Sequence, residues 1–361
     1  MKILGIETSC DETAVAVIEA QNETIMVLSN AVSSQVKLHA KYGGVVPNLA
    51  AREHTKNIEH VFKLALKSAK IKNFNKEIDL IAVTYGPGLG PSLLVGIAFA
   101  RTLAWKYDKP LAGVSHLEGH IYSNWLSPVG ISSKLKMKSE KLFPVLNLIV
   151  SGGHTELVLM RNHGEYEIIG ETLDDAIGEA FDKVARLLGL DYPGGPAIAK
   201  RALKFKVKSE KLKIPKIEFP RPMINSKNYN FSYSGLKTSV LYKVRDLKAA
   251  SVKITDNVIN EIAYEFQNAA LDVLIYKTAK AAEEYKVKSL LLSGGVSANK
   301  ELRRRLEAEA KKLKVKYSQP EFEYTTDNAA MIATAGYFSS KNKKPQDLTW
   351  DKIDMDANLG F

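Results

Sequence analysis

Lys2-Ile3-Leu4-Gly5-Ile6, a polar turn from Glu7 to Thr13, then Ala14-Val15-Ala16-Val17-Ile18: this opening stretch decides the fold. Two short apolar runs flanking a turn rich in hydroxyl and carboxylate groups read as a β-hairpin. The pattern returns at Val145–Val150, a turn from Ser151 to Glu156, and Leu157–Met160. A third apolar run, Ser289–Leu292, leads into Ser293-Gly294-Gly295-Val296-Ser297-Ala298-Asn299 and then a charged helix over about 300–314. The repeated hairpin predicts two related lobes.

Helical spacing over 53–69, 92–105, 172–188 and 257–285 alternates with apolar strands such as Asp79–Thr84. This alternation predicts an α/β protein with mixed sheets. In the 172–188 segment the acids at its start and Gly189 at its end read as helix-capping signals. Ser132–Lys141 reads as a lysine-rich linker and Lys200–Lys216 as a second basic run.

The chain has 361 residues, 45% of them hydrophobic and 25% charged, as in globular proteins. No apolar run is long enough to span a bilayer. Its N-terminus, with Glu7 and Asp11 close behind, is not that of a signal peptide. Cys10 is the only cysteine, so an intrachain disulfide is excluded, and a cytoplasmic protein is expected. The net charge of +11 suits a polyanionic partner such as nucleic acid, or simply a solvated lysine-rich surface.

His116-Leu117-Glu118-Gly119-His120 sets two imidazoles four residues apart, on one helix face. Such a pair is either two core histidines or two ligands of one divalent metal. Glycine clusters flank it, at Gly86–Pro91 and at Ser151-Gly152-Gly153-His154-Thr155. A third ligand must come from elsewhere. Asp327 is the best candidate, although Asp327 or Thr326 also fits the N-cap of the apolar helix that follows. The glutamate of a zincin directly follows the first histidine. Here Glu118 does not, which counts against a metalloprotease. A sugar kinase would need a catalytic aspartate that the sequence does not single out.

The Ser151–Thr155 and Ser293–Gly295 turns both follow apolar strands, and both can offer backbone N–H groups to a phosphate. Gly86–Pro91 precedes a helix N-terminus and suits an anion or a rigid loop. Asp175, Glu179 and Asp182 share a helix face; the first two complement the helix dipole, and Asp182 suits a ribose hydroxyl. The interleaved Arg303–Arg305 and Lys311–Lys316 suit phosphates or a solvated face.

Seven stretches together resemble one family: Gly5–Thr13, the HLEGH stretch, Val150–Thr155, Gly178–Lys183, Asp191–Pro196, Phe231–Thr238 and Ser293–Asn299. This is the TsaD/Gcp group of tRNA N6-adenosine threonylcarbamoyltransferases, and the likeness runs to about Ala335. The resemblance implies the actin/Hsp70/sugar-kinase fold, two lobes each built on a ribonuclease-H-like mixed sheet flanked by helices. It implies an N-terminal lobe of 1–127 plus 327–361, a second lobe of 142–326, and a linker at 128–141. The implied reaction carries the threonylcarbamoyl group from threonylcarbamoyl-AMP to N6 of adenine 37 in tRNAs reading codons that begin with A. By the same likeness His116, His120 and Asp327 hold one divalent metal between the lobes, iron ahead of zinc. Ile149, Val150, Ser151, Gly152, Gly153, Asp182, Gly195 and Asn299 match positions that bind ATP or the adenylate. Ile149 stands where archaeal and eukaryotic relatives often carry a metal-ligating tyrosine. That departure, with His154-Thr155 and the intact Phe231–Thr238 stretch, points to the bacterial type, hence to TsaB-like and TsaE-like partners. The lysine-rich stretches near Ser132 and Lys204 depart from the family pattern. No side chain announces itself as a general base. The alternative is a non-catalytic nucleotide-binding scaffold subunit of the same complex, which would lack the histidine pair.

Overall fold

The computed structural model describes residues 1–133, 142–209, 217–341 and 343–361. Most of the Ser132–Lys141 linker and the end of the Lys200–Lys216 run lie outside the described residues. The chain divides into two units, one of Met1–Leu142, Met160–Tyr166 and Gln319–Phe361, the other of Phe143–Leu159 and Glu167–Ser318.

In the first unit the opening hairpin forms as the alternation predicts, with strands β1 (Lys2–Glu7) and β2 (Glu12–Gln21) pairing antiparallel. Strands β3 (Thr24–Ser34), β4 (Leu80–Gly86), β5 (Leu111–Ser115) and the two-residue β6 (Ser132–Ser133) complete a six-stranded sheet in the order β5-β4-β1-β2-β3-β6. β4 runs parallel to β1, and β5 parallel to β4. Leu4, Ile6, Val15 and Val17 point from one face into a core shared with Ile58 and Val61 of the Pro47–Ser68 helix and Leu93 and Ile97 of the Gly90–Tyr107 helix.

The other face carries a row of small residues. The register sets Ala16 beside Gly5, Gly5 beside Ala82 and Ala82 beside Ala112. The Ala329–Ser340 helix lies on this row, so close that a Cβ at Gly5 would stand 2.1 Å from the Ala329 carbonyl oxygen. Only a side-chain-free residue permits that approach.

The second unit holds β7 (Val145–Val150), β8 (Thr155–Asn162), whose last residues belong to the first unit, β9 (Glu165–Glu171), β10 (Ser289–Ser293) and β11 (Lys316–Ser318), in the order β11-β10-β7-β8-β9. β10 is parallel to both β7 and β11. Its core joins Leu146, Leu148, Leu290 and Leu292 to Phe181 of the Ile177–Leu187 helix and Phe266 of the 29-residue Asp256–Glu284 helix.

One detail differs from the sequence reading, and a second bears out its rigid-loop alternative. The helix expected from Thr172 begins at Ile177, because the Asp174 carboxylate turns away to accept hydrogen bonds from the backbone N–H groups of Tyr233 and Ser234 and from the hydroxyls of Ser232 and Ser234. Gly86–Pro91 is a packing loop. The Leu89 and Gly88 N–H groups donate to the carbonyls of Ser9 and Ala357, and a Cβ at Gly88 would meet the Ser9 carbonyl.

Candidate functional site

His116 begins the helix His116–Tyr122 directly after β5, so both imidazoles sit at the carboxyl end of that strand. The four-residue spacing brings the rings edge to face, with centroids 4.6 Å apart. Gly119 between them lets this helix close on the next one, since a Cβ there would stand 2.7 Å from Ile332 Cδ1. That contact and the small-residue row seat the Ala329–Ser340 helix, and with it the residues just before it. Asn328 is the N-cap; its side chain accepts the Met331 N–H. The Asp327 carboxylate is therefore not the cap, and it points at the histidines instead.

Its Oδ1 lies 3.5 Å from Nε2 of His116 and 3.5 Å from Nε2 of His120. The three ligand atoms fall within 4.8 Å of one another. Donors about 2.1 Å from one ion at a tetrahedral angle are roughly 3.4 Å apart, so the set fits a divalent metal. Two imidazoles and a carboxylate suit iron or zinc alike.

The opening hairpin contributes the orienting groups. His116 Nδ1 meets Glu7 Oε2 at 3.0 Å and Ser9 Oγ at 3.1 Å, so Nε2 is the nitrogen turned to Asp327. Glu7 is fully buried and also accepts the Thr84 hydroxyl at 2.7 Å and the Ser9 N–H at 2.5 Å. Burial pushes the Glu7 carboxyl upward, but His116 beside it prevails and holds it below the usual carboxylate value. Burial alone would discharge His116; Asp327 and Glu7 overcome it and raise the imidazole to about 9 in the metal-free protein. Burial lowers His120, beyond what Asp327 restores. Glu7 and Ser9 were not singled out in the sequence, although they lie in the turn noted for its hydroxyl and carboxylate groups. Burial, chiefly, pushes the Cys10 thiol well above its ordinary value.

The sequence-matched nucleotide positions all belong to the second unit. Ile149 and Val150 are fully buried at the end of β7, so their side chains belong to the core. Ser151 Oγ accepts the N–H groups of Gly153 and His154, which holds the turn, and Gly152 and Gly153 face open space. Gly178 donates to the Ser151 carbonyl at 3.2 Å. Gly294, at φ +85°, lies where a Cβ would meet the Val150 carbonyl oxygen at 2.4 Å. These glycines gather at the carboxyl ends of the parallel strands β7 and β10, where α/β sheets bind ligands. Asp182 Oδ1 accepts the Gly194 N–H at 2.6 Å, and its carboxylate also takes the Gly195 N–H, fixing that turn. Asn299 caps the Lys300–Leu313 helix and donates to Gln267 Oε1. Both side chains thus have a structural task beside any contact with a nucleotide. Among the described residues no helix is long and apolar enough to cross a membrane.

Residues 26–334 match the model of the TsaD family, tRNA N6-adenosine threonylcarbamoyltransferase. Proteins of that name from Thermosipho melanesiensis and Thermosipho africanus are 50% and 47% identical over 338 and 354 residues, covering 93% and 98% of this chain and 94% and 98% of theirs. A Bacillus anthracis protein of the same name is 47% identical over 360 residues, 99% of this chain and 96% of its own. Among solved structures, HypF of T. kodakarensis superposes with a TM-score of 0.59 at 16% identity, covering 96% of this chain and 48% of that one, a likeness of fold alone. The fold is thus of the actin/Hsp70/sugar-kinase class. The chain belongs to the TsaD family of tRNA N6-adenosine threonylcarbamoyltransferases, acyltransferases that act on tRNA.

Proposed function

We propose that this chain transfers the threonylcarbamoyl group of threonylcarbamoyl-AMP to N6 of adenine 37 in tRNAs that read codons beginning with A. The observation that carries the reading is the convergence of His116 Nε2, His120 Nε2 and Asp327 Oδ1, with His116 turned by Glu7. A scaffold subunit would have no use for that arrangement. In the transfer, the adenine amine attacks the carbamoyl carbon, a C–N bond forms, the C–O bond to phosphate breaks, AMP leaves and N6 loses a proton. A divalent ion held by the triad, iron ahead of zinc, would supply Lewis-acid polarisation of a carbonyl or phosphate oxygen. The backbone of 149–153 and the Gly195 turn bind the adenylate, Asp182 reaches the ribose, and Asn299 lies beside the nucleotide. The exocyclic amine is a poor nucleophile, so positioning supplies much of the rate. The anticodon loop is a target whose bases can be splayed out.

TsaB-like and TsaE-like proteins are the proposed partners, in the cytoplasm. A TsaB-like partner would dock on an apolar helical surface of the first unit, but along 61–66 and 93–103 Val61, Leu93, Ile97 and Leu103 are buried in the core. Leu64 and Leu94 are exposed, as is Trp105 further along the same helix, and these are the docking candidates.

The experiment is elemental analysis and transfer assay of the His116→Ala/His120→Ala protein, with labelled threonylcarbamoyl-AMP, unmodified tRNA and a TsaB-like partner. Metal and activity should be lost together. Metal retained at wild-type stoichiometry would reject the ligand set, and full activity without metal would reject its role.

A further inference from the structure

The second unit carries a surface feature that neither the triad nor the glycine turns use. The Ile177–Leu187 and Ser234–Ala249 helices pack side by side and leave a pocket of about 250 Å3 lined by Lys183, Arg186, Leu187, Lys237, Thr238 and Leu241. Its walls are two leucines, both exposed, and the aliphatic stems of three long cations. Small-molecule sites run to roughly 300–1,000 Å3, so the space suits one ring system more than a whole nucleotide. The rim is cationic. Lys183 and Lys237 both pair with Asp175, whose side chain is 13% exposed and lies beneath them, and Lys183 also pairs with the half-exposed Glu179 at 2.8 Å, so the rim sets three cations against two acids. Beyond Leu241, Arg245 stacks over the half-exposed ring of Tyr242, 4.8 Å from its centroid, while pairing at 3.4 Å with the exposed Asp246, and carries the aromatic surface along the helix.

Apolar walls under a cationic rim match a nucleobase with its flanking phosphates. We propose that this pocket is a contact for the tRNA, taking one unstacked base between Leu187 and Leu241 while Arg186, Lys183 and Lys237 hold the adjoining phosphates and Arg245 a further one. The proposal rests on the tRNA-modifying reading above. An acidic protein partner would need the cations but not the ring-sized cavity.

The test measures binding of unmodified tRNA and of a plain RNA duplex to the full chain across a salt series. The variants are Arg186→Gln/Arg245→Gln, Leu241→Ala and, as a charge-matched control, Lys311→Gln/Lys312→Gln on the Lys300–Leu313 helix. Thermal melts verify that each is folded. The double arginine variant should weaken tRNA binding and flatten the log–log salt slope by about 1 to 2, the release lost with two phosphate contacts. Leu241→Ala should weaken tRNA binding several-fold with the slope unchanged, and leave duplex binding alone. A slope matching the control, or tRNA affinity untouched by Leu241→Ala, overturns the proposal, including the case where Leu241→Ala instead loses a protein partner. Wild-type protein that transfers the group while the pocket variants bind tRNA normally would reject the pocket and leave the activity standing. Wild-type protein that binds no tRNA would reject both.

Discussion

Glu7 Oε2 stands 3.0 Å from His116 Nδ1 and receives the Thr84 hydroxyl at 2.7 Å, so one buried carboxylate oxygen ties the end of β1 to β4 and to the first metal-ligand candidate. The arrangement fixes the tautomer in which Nε2 is free to ligate and makes that nitrogen more basic. Glu7→Gln preserves the shape and removes the charge. Metal affinity should fall about 10- to 100-fold, as read by competition with a chelating dye. Unchanged affinity would reduce Glu7 to a structural acid.

The glycine turns separate stability from binding. At Gly294 the backbone is left-handed and a Cβ would collide with the Val150 carbonyl, whereas at Gly152 a Cβ meets nothing. Gly294→Ala should therefore cost roughly 1–3 kcal/mol in urea unfolding. Gly152→Val should melt like the wild type but bind the adenylate or ATP more weakly, since the branched side chain keeps a phosphate from the backbone. Equal affinity in the folded Gly152→Val protein would remove that turn from the ligand site.

What could be read along the chain was local. The opening hairpin, the charged helix after Asn299 and the HLEGH helix rest on periodicity and spacing that neighbours in sequence supply. Asp327 was visible as an acid at a loop-to-helix junction. Whether it capped or ligated depended on Asn328 taking the cap, which only the backbone conformation of both residues decides. Glu7 and Ser9 were legible as a polar turn but not as partners of His116, because β1 and β5 meet through the parallel pairing with β4. The strand Glu165–Glu171 escaped notice because it is a largely exposed edge strand without a clean apolar alternation. Asp174 and Asp175 imitated first-turn acids, yet Asp174 binds the start of the Ser234–Ala249 helix and the loop before it, and Asp175 pairs with Lys237 of that helix as well as with Lys183.

Asp174 gives a direct check of that last point. Its carboxylate receives the Tyr233 N–H at 2.8 Å and the hydroxyls of Ser232 and Ser234 at 2.6 Å each. It acts as an external cap for the Ser234–Ala249 helix. Asp174→Ala should destabilise the protein by about 1–2 kcal/mol, the usual range for a lost cap, in equilibrium urea unfolding. Loss of less than a few tenths would mean that solvent replaces the cap freely.

His163, which is not one of the candidate metal ligands, supplies a pH dependence of its own. Its ring stacks on Phe338 with centroids 4.2 Å apart and on Tyr122 at 5.7 Å, and Nδ1 meets the Tyr122 hydroxyl at 3.0 Å. Burial in this aromatic stack pulls its pKa down to about 4, with Lys341 adding to the effect against Glu23. The unfolded chain takes up the proton near pH 6.5, before the folded protein does. The stability is therefore whole above about pH 6.5, declines as the pH falls, and is lost once the folded ring protonates near pH 4. His163→Phe keeps a flat ring in the stack and cannot titrate. Against that variant, the wild type should lose about 2–3 kcal/mol more between pH 6.5 and 4, measured by urea unfolding at half-unit steps. Parallel curves for the two proteins would show that the ring stays solvated enough to protonate without penalty.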